Sequence, residues 1–114
     1  MYEYRVRVPA AAYDGDTIRL DIDLGFGVWI SNQPFRLHGI DAFELGDPGG
    51  KEARTALHKL APAHADLLAI TYKDSKEKYG RYLADLYDPF DLVTSINQKL
   101  IDAGHAVPYS GGKR

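Results

Sequence analysis

Within "RLHGIDAFE", residues 36 to 44, Arg36 stands five residues ahead of Asp41 and eight ahead of Glu44. Carboxylates gathered on one rim can hold a hard cation, and a nearby arginine can balance them or bind an anion. Asp16 is a further candidate, because it shares the parity of Ile18, Leu20 and Ile22 and so belongs to the inward face of a strand. A lone ionised carboxylate facing an apolar core costs several kcal/mol, on the order of the desolvation of one ion, so Asp16 should lie at an open end or beside a cation. Asp16, Asp41 and Glu44 together offer oxygen ligands only, which favours Ca²⁺ or Mg²⁺ over zinc. A third cluster, "KEKYGR" at 76 to 81, adds Lys76, Lys78 and Arg81 to Lys73, with Tyr79 as a ring on which a base can stack. Each feature also has a plainer reading: a turn cap at Asp14-Gly15-Asp16, a strand-edge ion pair at Arg36, and a solvated lysine-rich hairpin loop.

The spacing within 36 to 44 raises an objection. In a regular strand an odd separation sends Arg36 and Asp41 to opposite faces. Gly39 answers it, since glycine accepts backbone conformations that other residues avoid, and a bend or bulge there resets the alternation.

The elements that must carry these residues are visible in the periodicity. Residues 4 to 12 alternate Tyr4, Val6 and Val8 against Arg5, Arg7 and Pro9, and Ile18 to Leu24 has the clearest period of two in the chain. Gly25-Phe26-Gly27 predicts a short hairpin loop, after which Val28 to Leu37 returns as a partner strand interrupted near Asn32-Gln33-Pro34. Ala53, Ala56, Leu57 and Leu60 fall at the spacing of an amphipathic helix that ends near Pro62. Leu67 to Lys73 and Arg81 to Tyr87 predict a second hairpin. Ser95 and Gln98 form a capping-box signature for a second helix over Ile96, Leu100 and Ala103, with Gly104 at its end. Five short antiparallel strands with a helix after the third give a mainly β, α+β fold: a small, partly open five-stranded barrel of the OB type. Residues 1–108 are expected to form one domain, and 109–114, the end of "VPYSGGKR", a flexible tail.

Composition bounds the function. A chain of 114 residues, 45% hydrophobic and 26% charged, suits one globular domain. Its net charge of -2 means that any attraction for a nucleic acid must come from a local basic cluster. Cysteine is absent, which removes disulfides and thiolate metal sites, and the four histidines (His38, His58, His64, His105) form no ligand pair. His38 reads as a strand-face residue and the other three as surface or packing residues. Trp29, Phe26 and Phe35 read as core or hairpin packing, and Asp21 and Asp23 as wet-face residues without a catalytic part. No run approaches the roughly 18 apolar residues of a membrane span and no signal peptide is visible in this chain, which leaves the compartment open between cytoplasmic and secreted after processing.

Taken together, "YDGDTIRL" (13 to 20), "FRLHGIDAFE" (35 to 44), "KYGRYLADLY" (78 to 87) and "INQKLIDAGHA" (96 to 106) resemble, in order and spacing, the staphylococcal-nuclease-like (thermonuclease) family. The resemblance implies an OB-fold barrel and a calcium-dependent phosphodiesterase that cleaves accessible or single-stranded DNA and RNA, leaving 3′-phosphate ends. Carried over by position, it implies Asp16, Asp41 and the carbonyl of Ala42 as calcium ligands, with Asp14 behind them. Glu44 would orient or deprotonate the attacking water, Arg36 and Arg81 would bind the scissile phosphate, and Lys78, Tyr79 and Tyr109 would hold a neighbouring nucleotide. Phe43 replaces the proline that usually precedes the family's glutamate, and Ala42 replaces a threonine; the freer loop implies weaker metal binding or slower turnover. The family commonly continues through a further helix, so a monomer or a weak homo-oligomer covering an apolar face is expected. The alternative from another class is a non-catalytic nucleic-acid-binding or protein-interaction module on the same fold, in which the acidic and arginine positions would be lost.

Overall fold

The computed structural model describes residues 2–10, 13–14, 17–42, 46, 48–73 and 82–109. Its elements are β1 (Tyr2–Arg7), β2 (Tyr13–Asp14), β3 (Thr17–Asp23), β4 (Trp29–Leu37), β5 (Ile40–Ala42), α1 (Gly50–Leu60), β6 (Asp66–Lys73), β7 (Tyr82–Tyr87), α2 (Ile96–Asp102) and β8 (Ala106–Pro108). Strands β1, β6, β7, β4 and β3 follow one another round a barrel, and β1 pairs back onto β3 to close it, with β2 extending the β3 edge. This is a mixed five-strand barrel with two helices, an α+β fold of the OB type.

Two features differ from the sequence reading. The barrel is closed where a partly open one was expected, and β4 runs parallel to β7, pairing Phe35 with Tyr82, Arg36 with Leu83 and Leu37 with Ala84. Geometry requires the second once the first holds: an odd number of strands cannot close with every neighbour antiparallel, so one seam must be parallel. The closing β1–β3 seam sets Arg5 opposite Asp23 and Arg7 opposite Asp21, cross-strand opposite charges on the outer face. Arg7 also pairs with Asp66 at 3.0 Å and lies 4.9 Å above the Trp29 ring. Trp29 is therefore a shelf for an arginine rather than a core residue. Phe35 is buried in the core, whereas Phe26 stands fully exposed at the hairpin tip and packs in neither way expected.

Strand β4 is continuous through Asn32-Gln33-Pro34, where an interruption was expected. The irregularity is absorbed as a register shift between Leu20 and Ile22, with Asn32 at φ +55°. Asp21 accepts the Asn32 backbone N–H at 2.9 Å and Asp23 accepts that of Gly25 at 2.8 Å. Both wet-face carboxylates thus hold the hairpin.

The inward residues interdigitate as their period of two predicts. Val6, Ile18, Leu20, Phe35, Ala69, Ala84 and Leu86 are fully or nearly fully buried, and Ile96 and Leu100 of α2 join the same cluster. Helix α1 adds Ala56, Leu57 and Leu60 at its margin. At the start of α2, the Ser95 side chain accepts the Gln98 backbone N–H at 3.0 Å, as the capping signature predicts. No strand was expected at the C-terminal side of α2, yet Ala106–Pro108 pairs with β5, and the Tyr109 N–H donates to the Gly39 carbonyl at 2.9 Å. Among the described residues, no helix is long and apolar enough to cross a membrane.

Candidate functional site

Arg36 sits on β4 between the buried Phe35 and Leu37 and so projects from the outer face of the barrel. Its backbone is flanked by Thr17 of β3 on one side and Leu83 of β7 on the other. Beyond Leu37 the chain turns at His38-Gly39, with Gly39 at φ +77°, a conformation that glycine adopts without the steric cost of a Cβ. Ile40 then enters the core and Asp41 takes the half-buried phase. Uninterrupted alternation would have buried Asp41 and exposed Ile40. The alternation is thus reset at the turn, so that Ile40 rather than Asp41 is buried, and Asp41 begins a separate two-stranded sheet with β8.

The turn is held by a polar cluster that sequence reasoning missed. The His38 N–H donates to the Ala84 carbonyl at 2.9 Å, joining the turn to β7. Asn97, buried on α2, donates through Nδ2 to the carbonyls of His38 and Ala84 at 2.9 Å each, and its Oδ1 accepts the Leu86 N–H at 3.1 Å. Asp85 receives Nδ1 of His38 at 3.2 Å and the Tyr72 hydroxyl at 3.0 Å, and the His38 and Tyr72 rings lie 4.3 Å apart. A carboxylate only accepts, so this contact places a proton on Nδ1 of His38. Burial, and next the hydrogen bond to Asp85, raises the Tyr72 pKa above its ordinary value. One signal was available in the sequence: Asn97 lies three and four residues before Leu100 and Ile101, a polar residue on the helix's apolar stripe.

Of the expected site residues, the structure describes Arg36, Asp41, the backbone of Ala42 in β5, the backbone of Asp14 paired with Thr17, and Tyr109. Asp16, Glu44, Lys78, Tyr79 and Arg81 lie outside the described residues. Within the described set no group of three acidic, histidine or cysteine side chains converges as a metal site. The donors described at the Gly39 turn, the Asp41 carboxylate and the Ala42 carbonyl, are both oxygens, which fits a hard cation by chemistry.

A closed five-strand barrel with a helix between β5 and β6 and another after β7 defines an OB-like α+β barrel of the staphylococcal-nuclease kind. Sequence comparison carries this further: the model of the staphylococcal nuclease homologue family matches residues 34–113, well over half the chain, and the chain belongs to that family. It is also similar to a probable staphylococcal-like nuclease, CAN2, of Oryza sativa subsp. japonica, at 39% identity over 71 residues. That match covers 62% of this chain and 18% of the Oryza protein, so the chain spans less than a fifth of its relative's length. Arg36, Asp41, Glu44 and Arg81 fall within the matched residues 34–113, and Asp14 and Asp16 precede them.

Proposed function

We propose that this chain is a calcium-dependent phosphodiesterase domain that hydrolyses DNA and RNA in single-stranded or otherwise accessible form and leaves 3′-phosphate ends. The observation that supports the reading is the Gly39 turn, which resets the alternation so that Arg36 and Asp41 are both half-buried within the segment matched by the nuclease-homologue family. Thr17 and Tyr82, the described residues next in sequence to Asp16 and Arg81, pair with Arg36 and with its neighbour Phe35, which supports one shared site.

In this reading Asp16, Asp41 and the Ala42 carbonyl hold the cation, with Asp14 behind them. The bound cation supplies positive charge against the phosphoryl oxygens. Arg36 and Arg81 bind those oxygens through their planar forks and remain charged at any working pH. Glu44 orients the attacking water or takes its proton, the new P–O bond forms, and the bond to the 5′ oxygen breaks. The 5′ oxygen leaves and takes up a proton from solvent water, so the upstream fragment keeps the phosphate on its 3′ end. Lys78, Tyr79 and Tyr109 hold the adjacent nucleotide. Asn97 and Asp85 act at one remove, fixing the turn between Arg36 and Asp41.

The test is incubation of purified protein with heat-denatured DNA and with RNA, in Ca²⁺, in Mg²⁺ and in chelator, with analysis of the product ends. Cleavage that needs Ca²⁺ and yields 3′-phosphates supports the reading. Binding without cleavage at every calcium concentration would move the assignment to a non-catalytic module.

A further inference from the structure

Helix α1 and the turn before β8 border an open trough of about 430 Å³, lined by Lys51, Thr55 and Lys59 of the helix and by His105. Lys51, Thr55 and Lys59 stand at i, i+4 and i+8, so they form one stripe along the helix. His105 is brought to that stripe by the end of α2, where its backbone N–H donates to the Leu100 carbonyl at 2.8 Å and Gly104 turns the chain at φ +81°. The stripe is not arranged for the stability of the helix. Lys51 lies in the first turn, where the helix dipole disfavours a cation, and position 55, from which one carboxylate would reach both lysines at i±4, holds a threonine. Thr55 donates its hydroxyl to the Lys51 carbonyl at 2.9 Å and offers neither lysine a countercharge. Glu52 is the one carboxylate among the described residues of the lining, adjacent in sequence to Lys51 and two turns from Lys59. Among the described residues neither lysine makes an ion pair.

Unpaired cations along an open trough attract an anion, and their spacing selects its kind. Eight residues of helix set the two lysine backbones about 12 Å apart, which matches successive charges along a chain better than one compact anion. The whole protein carries a charge of -2, so the attraction is local to this face. The trough also adjoins the candidate site. His105 immediately precedes Ala106, the β8 partner of Ala42, and Asp41 pairs with the next residue, Val107. An anionic chain that leaves the Asp41–Ala42 strand across β8 therefore reaches His105 and then the lysine stripe. We propose that the α1 trough is a phosphate-tracking subsite that binds the backbone of a single-stranded nucleic acid through Lys51 and Lys59, with His105 at its near edge, and does not read the bases. The charge of the trough calls for a polyanion; the choice of a nucleic acid rests on the nuclease reading.

The test measures binding of a long labelled single strand by fluorescence anisotropy over a series of salt concentrations, in chelator so that no cleavage intrudes. Lys51→Gln and Lys59→Gln, singly and together, remove the two cations from exposed positions. Arg5→Gln removes a charge from exposed β1, outside the trough, as the control. Circular dichroism confirms the fold of each. A lysine that neutralises one phosphate contributes about 0.7 to the slope of log affinity against log salt, so the double variant should lose about 1.4 and Arg5→Gln should keep the parent slope. A labelled dinucleotide, too short to span the cleft and the trough, should bind the parent and the double variant alike. An unchanged slope in the double variant overturns the proposal, as does an equal loss in Arg5→Gln or a parent protein whose binding does not respond to salt. Calcium-dependent, Arg36-dependent cleavage alongside an unchanged slope would defeat the trough and leave the nuclease reading intact. A slope lost in the double variant of a protein that cleaves nothing would do the reverse.

Discussion

Where β4 and β7 finish, the barrel is closed by α2: Ile96 and Leu100 are at most 2% exposed, and Asn97 satisfies backbone groups from both strands. Where β1 and β7 begin, no helix among the described residues covers the mouth, and Tyr2, Leu24, Ile30 and Tyr82 stay in contact with water. The same five strands supply both ends, so the difference comes from the chain beyond β7, which folds back as α2 over one end. One end secures the turn that positions Arg36 and Asp41, and the other keeps aromatic surface available.

Removing a side chain from the closed end should have the largest effect. Leu100→Ala is expected to cost about 2–5 kcal/mol, the range for a buried leucine, as a lowered midpoint in urea with little change in slope. Tyr82→Ala at the open end should cost less than about 1 kcal/mol in the same measurement, being partly solvated already. Equal losses would erase the contrast. Asn97→Ala comes next, at about 2–3 kcal/mol, because it leaves the Leu86 N–H and the carbonyls of His38 and Ala84 without their partner. Its nuclease activity should fall further than the unfolded fraction explains, and assay at a temperature well below the melting point separates the two.

Gly39→Ala places a Cβ at φ +77°, where nothing lies within 4 Å, so the cost is conformational alone, about 1–2 kcal/mol. Circular dichroism should show the barrel intact while turnover drops, since this turn sets the path of the chain from Arg36 to Asp41. The smallest effect concerns Tyr72. Its pKa is raised in the folded state, so its contribution to stability is fully present below the ordinary tyrosine pKa of about 10 and is lost as pH rises through the higher folded value. Alkaline titration monitored by tyrosinate absorbance should show Tyr72 ionising late, and Asp85→Asn should lower its pKa by removing the hydrogen-bonded carboxylate.

Much of this molecule was legible before its structure. The inward set of β3 and the apolar stripe of α1 come from elementary periodicity, and Ser95 with Gln98 marked the start of α2 because a helix needs its first N–H groups satisfied. The role of Gly39 emerged from an odd spacing that needed an explanation. The hidden features depend on contacts between distant parts of the chain. Strands β5 and β8 have three residues each, too few to show a period, and they exist because Asp41 and Val107 meet across the fold. The polar clamp draws His38, Tyr72, Asp85 and Asn97 from four separate segments, and only the position of Asn97 on an apolar stripe hinted at it. Phe26 was misread because hydrophobicity alone predicts burial, while a left-handed residue at a hairpin tip has no surface to pack against.

If Arg36 and the Gly39 turn serve phosphodiester cleavage, as proposed, removing the Arg36 guanidinium must slow it. The most direct measurement compares the rate at which the parent protein and Arg36→Ala cleave heat-denatured DNA in Ca²⁺, with each fold verified. Loss of one such electrostatic contact predicts a fall on the order of 10²- to 10³-fold in turnover, with the residual activity still abolished by chelator. An Arg36→Ala protein that cleaves as fast as its parent would rule out a phosphate-binding role for Arg36.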